Sequence, residues 1–323
     1  MHAAIVRAFA PGLLALAPVL TGCVSAPPAD PRIERAEAMT RVGAWRDAGA
    51  LWNEIYLASG TRDVDAGLRS AEAFEARGEL AMARSRLLEL EARAPDRADV
   101  QLHLGAVLER LGERAEARRR FGRALELDPG AAEARKGFGR VTGGEEGIAA
   151  LREGLRLDPE DRSAARALGL LLAEAGQRDE AATALGRGFE GSAADPALDG
   201  ERLRAARAFG SDLRVVPWLE PVVARSPEAT EALRRIGEAY LAGGRPDRAL
   251  EWLQRAASSD PTDALALIGL GRARISAGAA GDLTSQLAAR VRALPLTPEE
   301  SAALEVFEAE LAAALAADRG PAD

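Results

Sequence analysis

Apolar and small residues recur along this chain in one frame of 34 positions. Residues 98–131 show it most fully. Leu104, Gly105, Leu108, Gly112, Ala117, Phe121, Ala124 and Pro129 stand at positions 7, 8, 11, 15, 20, 24, 27 and 32 of that unit. Residues 64–97 place Ala71, Phe74, Gly78, Ala83, Leu87, Leu90 and Pro95 in the same frame, and residues 230–263 place Ile236, Gly237, Tyr240, Gly244, Ala249, Leu253, Ala256 and Pro261 there. Residues 162–195 follow it with Leu168, Gly169, Leu172, Gly176, Ala181, Leu185 and Gly188, their closing proline displaced to Pro196. Residues 264–297 follow with Leu270, Gly271, Gly278, Leu283, Leu287 and Pro295. The first unit, 29–63, is weaker, with Ala36, Met39, Gly43, Ala48 and Trp52.

The spacing predicts two antiparallel helices per unit. Positions 4, 7 and 11 share one face of a first helix (helix A), and positions 20, 24 and 27 share one face of a second (helix B). Small residues at positions 8 and 20 let the two helices approach. Glycine near position 15 supplies the turn, and proline at position 32 stops helix B. One such pair cannot bury its apolar face alone, so neighbouring units are expected to stack into a continuous core.

Two units depart from the frame. Residues 132–161 are four residues short, and Gly143-Gly144 are expected to replace the end of helix A. Residues 196–229 carry Pro217 and Pro221 where helix B should run, so that helix is expected to start late, near Pro217, where a first-turn proline is tolerated. After residue 297, Thr297-Pro298-Glu299-Glu300 combines an N-cap threonine, a first-turn proline and a glutamate at N3. A capping helix over 298–317 and a short tail, 318–323, are expected.

These positions resemble the tetratricopeptide repeat (TPR). The resemblance implies an all-α, right-handed superhelical solenoid of about eight units from 29 to 297, closed by the C-terminal helix. It also implies a function in binding a protein or peptide along the groove lined by helices A. Positions 5 and 9 of the regular units, carried over from the family, are Leu68 and Glu72, Leu102 and Ala106, Arg166 and Leu170, Arg234 and Glu238, and Ile268 and Arg272. Chaperone-binding members hold a C-terminal carboxylate with Lys at position 5 and Asn at position 9. Neither stands at those places, so that ligand is disfavoured. Trp218 and Trp252, both at position 23, form a second candidate surface, with packing between helices B as the alternative.

The N-terminus is different in kind. Ala8 to Leu20 is an apolar run behind Arg7, too short for the roughly 20 residues of a membrane span and suited to a signal-peptide core over residues 1–22. It ends in Leu20-Thr21-Gly22-Cys23, which resembles the lipobox of bacterial lipoproteins. The resemblance implies cleavage before Cys23, lipid on its thiol and a short tether over 23–28. Val24 after the cysteine favours, by the same resemblance, an outer-membrane protein facing the periplasm.

Composition removes several alternatives. The net charge of −8 disfavours nucleic acid as a partner. A single cysteine allows no internal disulfide, and with two histidines it leaves no Cys/His zinc site. Lys136 is the sole lysine among many arginines, which GC-rich coding would explain. His103, a lone histidine without an evident nucleophile or metal partner, suits a structural or exposed role. Arg118-Arg119-Arg120 suits a solvated helix face. No phosphate-binding loop or HExxH motif is present, so neither an enzyme nor a cofactor is expected. In architecture the chain resembles TPR lipoproteins of pilus biogenesis, which implies a scaffold that aids assembly of an envelope machine such as a pilus or secretion system. An exopolysaccharide-export scaffold and an enzyme accessory domain are the alternatives, and nothing in the sequence sets the oligomeric state.

Overall fold

The computed structural model describes residues 30–318. The signal segment, Cys23, the tether and the last residues of the tail lie outside them. Among the described residues there are seventeen α-helices and no strand, and the chain is an all-α solenoid of paired helices. The pairs are α1 (Pro31–Arg41) with α2 (Trp45–Ala58), α3 (Val64–Ala76) with α4 (Leu80–Arg93), α5 (Ala98–Arg110) with α6 (Arg114–Leu127), and α7 (Ala132–Thr142) with α8 (Gly144–Leu157). They continue with α9 (Arg162–Glu174) and α10 (Arg178–Phe189), α11 (Asp199–Phe209) and α12 (Val216–Arg225), α13 (Thr230–Ala242) and α14 (Pro246–Ser259), and α15 (Ala264–Ser276) and α16 (Asp282–Arg292). The single helix α17 (Pro298–Asp318) follows.

Local chemistry sets the helix ends. Asp63, Asp161 and Asp263 each precede a helix A and accept from its backbone N–H groups, at 3.0, 2.9 and 2.9 Å. Gly43, Gly78, Gly112, Gly176, Gly244 and Gly278, all at position 15, have positive φ at the turn between helices A and B. At α17 the capping box forms reciprocally: Glu300 N donates to Thr297 Oγ1, and Thr297 N donates to Glu300 Oε2 at 2.8 Å.

Position 8 controls how closely the helices pack. A Cβ at Gly105 would lie 2.7 Å from the Phe121 ring, and one at Gly237 would lie 2.5 Å from Leu253. In each case the side chain at position 24 of helix B fills the space that the glycine leaves on helix A. Phe121 also lies over Gly137 of the next unit, where a Cβ would be 2.5 Å away. Buried residues therefore pass from unit to unit, and the successive core clusters extend from Ala36 to Leu311.

The irregular units have physical explanations. In 132–161, α7 is two residues shorter than the regular 13-residue helix A, and Gly143 alone replaces a three-residue turn. Gly144 begins α8 instead of ending α7. In 196–229, α12 starts at Val216 with Pro217 in its first turn, and Pro221 stays inside the helix. Position 7 of that unit, apolar in most of the others, is Arg202. It is buried, and its guanidinium donates to the Ser192 carbonyl at 2.7 Å and the Asp195 carbonyl at 3.2 Å. It thereby holds the longer loop that precedes the unit. Burial, then the nearby charge of Arg225, lowers its pKa.

The last unit corrects one expectation. Leu283, expected to point inward at position 20, is 59% exposed, and Thr284 is buried in its place. The turn before α16 has five residues, 277–281, instead of three, which rotates the helix by about one position. Thr284 Oγ1 donates to the Ala279 carbonyl at 2.9 Å and accepts from Arg274 at 3.1 Å.

Thr61 is the one non-glycine residue with positive φ among those described, at 65°. A β-branched side chain is disfavoured there. Replacing Thr61 with Asn, which tolerates this conformation, is expected to stabilise the protein by about 1 kcal/mol. Thermal unfolding of the two proteins checks this, and an unchanged or lower midpoint counts against strain at Thr61.

Candidate functional site: the helix-A groove

An open groove of about 790 Å³ runs along α13, α15 and α17. Leu241, Leu265, Ile268, Ile275 and Ala303 give it apolar surface, and Arg234, Arg235, Glu238, Arg272, Glu299 and Glu310 give it charge. Four of the residues carried over from positions 5 and 9 line it: Arg234, Glu238, Ile268 and Arg272. Ile268 is almost wholly buried at its floor. A smaller depression of about 340 Å³ includes Leu170 beside Glu109, Arg140 and Glu201.

The other carried-over residues are not gathered into these two depressions. Leu68 is buried in the core of the first units. Leu102 and Ala106 are half-buried and pack against the cluster around Phe121. Glu72 and Arg166 are half-buried and already paired. The position that family members use for a ligand is thus partly taken by packing with the next unit.

Pairing is the main electrostatic feature of this face, because charges on one helix A meet opposite charges on the next. His103 on α5 lies 3.0 Å from Glu75 and 3.5 Å from Glu72 on α3. Arg140 on α7 makes two bonds to Glu109 on α5, at 2.8 and 2.9 Å. Arg166 on α9 binds Glu201 on α11. Arg207 on α11 and Arg235 on α13 share Glu231, whose carboxyl falls to about 2, first through the Arg207 hydrogen bond and then, against the cost of burial, through Arg235. Arg234 reaches Glu238 at 2.8 Å and Asp263 at 3.4 Å, and Arg272 grips Glu310 of α17 with two bonds of 2.8 Å. Each half-exposed pair contributes at most about 1 kcal/mol, yet together they fix the spacing of the helices that line the groove. The signal missed in the sequence is opposite charge on successive helices A, roughly one repeat apart.

His103 is thus not alone. Burial lowers its pKa, but the hydrogen bond to Glu75 and the charges of Glu75, Glu72 and Asp99 outweigh burial and raise it above its ordinary 6.5. A raised folded pKa means that this stabilisation is complete below 6.5 and is lost as pH rises through the folded value. The unfolding midpoint is expected to fall between about pH 6 and about pH 8 by more in the wild type than in a His103→Gln variant. Parallel pH profiles would exclude His103 as the cause.

Lys136 occupies position 5 of the shortened unit, the place of the carboxylate-binding lysine in chaperone-binding relatives. Its side chain is fully buried, and its ammonium lies 2.6, 2.7 and 2.8 Å from Glu133, Asp158 and Asp161. It is not free to bind a ligand. Those three carboxylates are close enough to hold a metal ion, but the lysine fills that role. Burial opposes its charge, and the bonds to Asp158, Asp161 and Glu133 prevail, raising its pKa.

Trp218 and Trp252 do not form a surface patch. Trp218 is 6% exposed and packs edge-on against Phe209 at 5.0 Å, with Phe189 at 6.2 Å. The irregular unit has Leu203, not glycine, at position 8, and large aromatic rings fill the space between its helices. Trp252 is half-buried beneath the Arg255 guanidinium.

Comparison with known proteins agrees with the repeat pattern. A tetratricopeptide-repeat family model matches residues 143–199 and 217–264, and a second matches residues 99–131. These segments are tetratricopeptide repeats, and such arrays are scaffolds for protein–protein interaction. No curated protein sequence matches the chain. Among solved structures, it is similar to YrrB, described as a TPR protein with an unusual peptide-binding site, with 23% identity, TM-score 0.48, 56% of this chain covered and 95% of that one. It is also similar to the C-terminal part of a TPR protein from Cytophaga hutchinsonii (15% identity, TM-score 0.49, 73% and 98% covered) and to a TPR protein from Parabacteroides merdae (14%, 0.43, 76% and 98%).

Proposed function

We propose that this chain is a lipid-anchored scaffold of the bacterial envelope. Its helix-A groove over residues 230–310 binds a segment of a partner protein. The observation that carries the binding reading is the groove itself, about 790 Å³ in volume and lined by both apolar and charged side chains. A helical or extended peptide with apolar anchors suits such a surface. The membrane half rests on Leu20-Thr21-Gly22-Cys23, since no helix among the described residues is long and apolar enough to cross a membrane. Lipid on Cys23 would hold the array at a membrane, and Val24 supports the outer membrane with the array in the periplasm. Assembly of a pilus or secretion machine is the proposed role, with exopolysaccharide export as the alternative.

Two variants test the two halves separately. Cys23→Ser is expected to release the protein into the soluble fraction, and continued membrane association without lipid would refute the anchor. A chain carrying Leu265→Glu and Arg272→Glu is expected to stay at the membrane yet lose the partner recovered with the wild type. Unchanged recovery would refute the groove. Recovery of secretin or pilin components against polysaccharide-export components decides the pathway.

A further inference from the structure

Two surfaces far apart in the chain remain unexplained by the groove. One is a second groove, of about 770 Å³, between α4 and α6 on the helix-B side. Leu104 and Leu108, almost fully buried, lie beneath it, and Leu88, 41% exposed, is its accessible apolar side chain. Arg84, Arg119 and Arg120 stand around it. The α6 helix carries five arginines against two glutamates, in a chain whose net charge is −8. Arg120 is held by Glu91 and Glu116, whereas Arg84, Arg118 and Arg123 each touch one or two carboxylates and stay about half exposed, and Arg119 is 70% exposed, so a further carboxylate can join these four.

The other surface is the outer side of α17. This helix carries five glutamates and an aspartate, with no lysine or arginine. Leu304, Phe307 and Leu311 pack inward on the last repeat. Facing away from them, Ala302, Val306, Ala309 and Ala313 are exposed at helical spacing, with Glu305 beside them. Val306 is 53% exposed, and Glu305 has no ion-pair partner among the described residues. A helix that only sealed the array would turn a polar face to water.

We propose that these surfaces meet between copies of this chain, with α17 of one copy lying in the α4–α6 groove of the next. The apolar stripe around Val306 covers Leu88. Glu305 enters the ring of arginines, while Glu308 and Glu310 stay with Arg292 and Arg272 of their own copy. The most acidic α-helix among the described residues thus meets the most basic one. Because the two surfaces differ, the contact is heterologous: a pair of copies keeps one free groove and one free helix, and copies add head to tail unless the rotation closes a ring. The contact uses the outer face of α17, whose other side lends Glu299, Ala303 and Glu310 to the helix-A groove, and the test of association needs no partner, so the two proposals fail independently.

Sedimentation velocity of the full chain tests this. The wild type is expected to form species larger than a monomer that grow with concentration and shrink with added salt. Arg84→Glu with Arg119→Glu is expected to weaken the association about tenfold or more, and so is Glu305→Arg with Val306→Lys. Mixing the two variants is the decisive arm. One retains an intact helix and the other an intact groove, and the two reversed surfaces, an acidic groove and a basic helix, also complement each other, so the mixture is expected to associate where neither variant does alone. Far-UV circular dichroism verifies folding; Leu88→Glu and Ala309→Arg replace any variant that fails to fold. A wild type that stays monomeric overturns the proposal. So do variants that associate like the wild type, and a mixture that remains monomeric.

Discussion

Replacing Phe121 with alanine is expected to lower the stability of the array by about 4 kcal/mol, the largest effect of any single truncation proposed for this chain. The ring is 1% exposed and lies between two glycines, Gly105 of its own unit and Gly137 of the next. Neither glycine has a side chain that could move into the vacated space, so the cavity would persist. The damage should also spread beyond one unit, because stacked repeats gain stability from each interface with a neighbour. Chemical denaturation is expected to show a lower midpoint and a broadened or split transition, with units 64–97 and 162–195 separating. A loss below about 1 kcal/mol would mean that the α5–α6–α7 junction repacks, contrary to the close helix approach seen there.

Lys136→Met is expected to cost about 3 kcal/mol near neutral pH, even though methionine matches the length and apolar stem of lysine. Three carboxylates would then face one another without the ammonium between them. Lowering the pH should recover much of the loss, because protonating the carboxylates relieves their repulsion. Arginine should be a poor substitute. The lysine stem crosses Gly154 so closely that a Cβ there would lie 2.5 Å from Lys136 Cγ, and a planar guanidinium cannot direct three donors at three converging oxygens. Thermal midpoints of the Met and Arg variants across pH check this. A Lys136→Arg protein as stable as the wild type would contradict it.

The repeat frame was legible because its signal is local. Glycine at position 15, small residues at positions 8 and 20 and bulky ones at 24 answer to contacts within one helix pair, so Gly105, Ala117 and Phe121 could be placed from spacing alone. The deletion in 132–161 was also visible, although the structure divides it between helix and turn. Contacts between units were harder to see. Leu68 shares a frame position with Arg166 and Arg234, yet it is buried by the neighbouring helices. Lys136 looked like a trace of codon usage, but its partners Asp158 and Asp161 lie on the far side of the next helix. Trp218 occupies the same frame position as Trp252, and its burial follows from Arg202 and Leu203 replacing the usual leucine and glycine. Leu283 was misplaced because two extra turn residues changed the helix phase.

The binding account is tested most directly by a photo-reactive amino acid introduced on the groove wall at Leu241, with the same probe on the helix-B side at Arg248 as control. Irradiation of intact cells is predicted to give one discrete cross-linked partner from position 241 and none of that partner from position 248. Equal cross-linking from both positions, or none from position 241, would contradict the assignment of the helix-A groove as the binding surface.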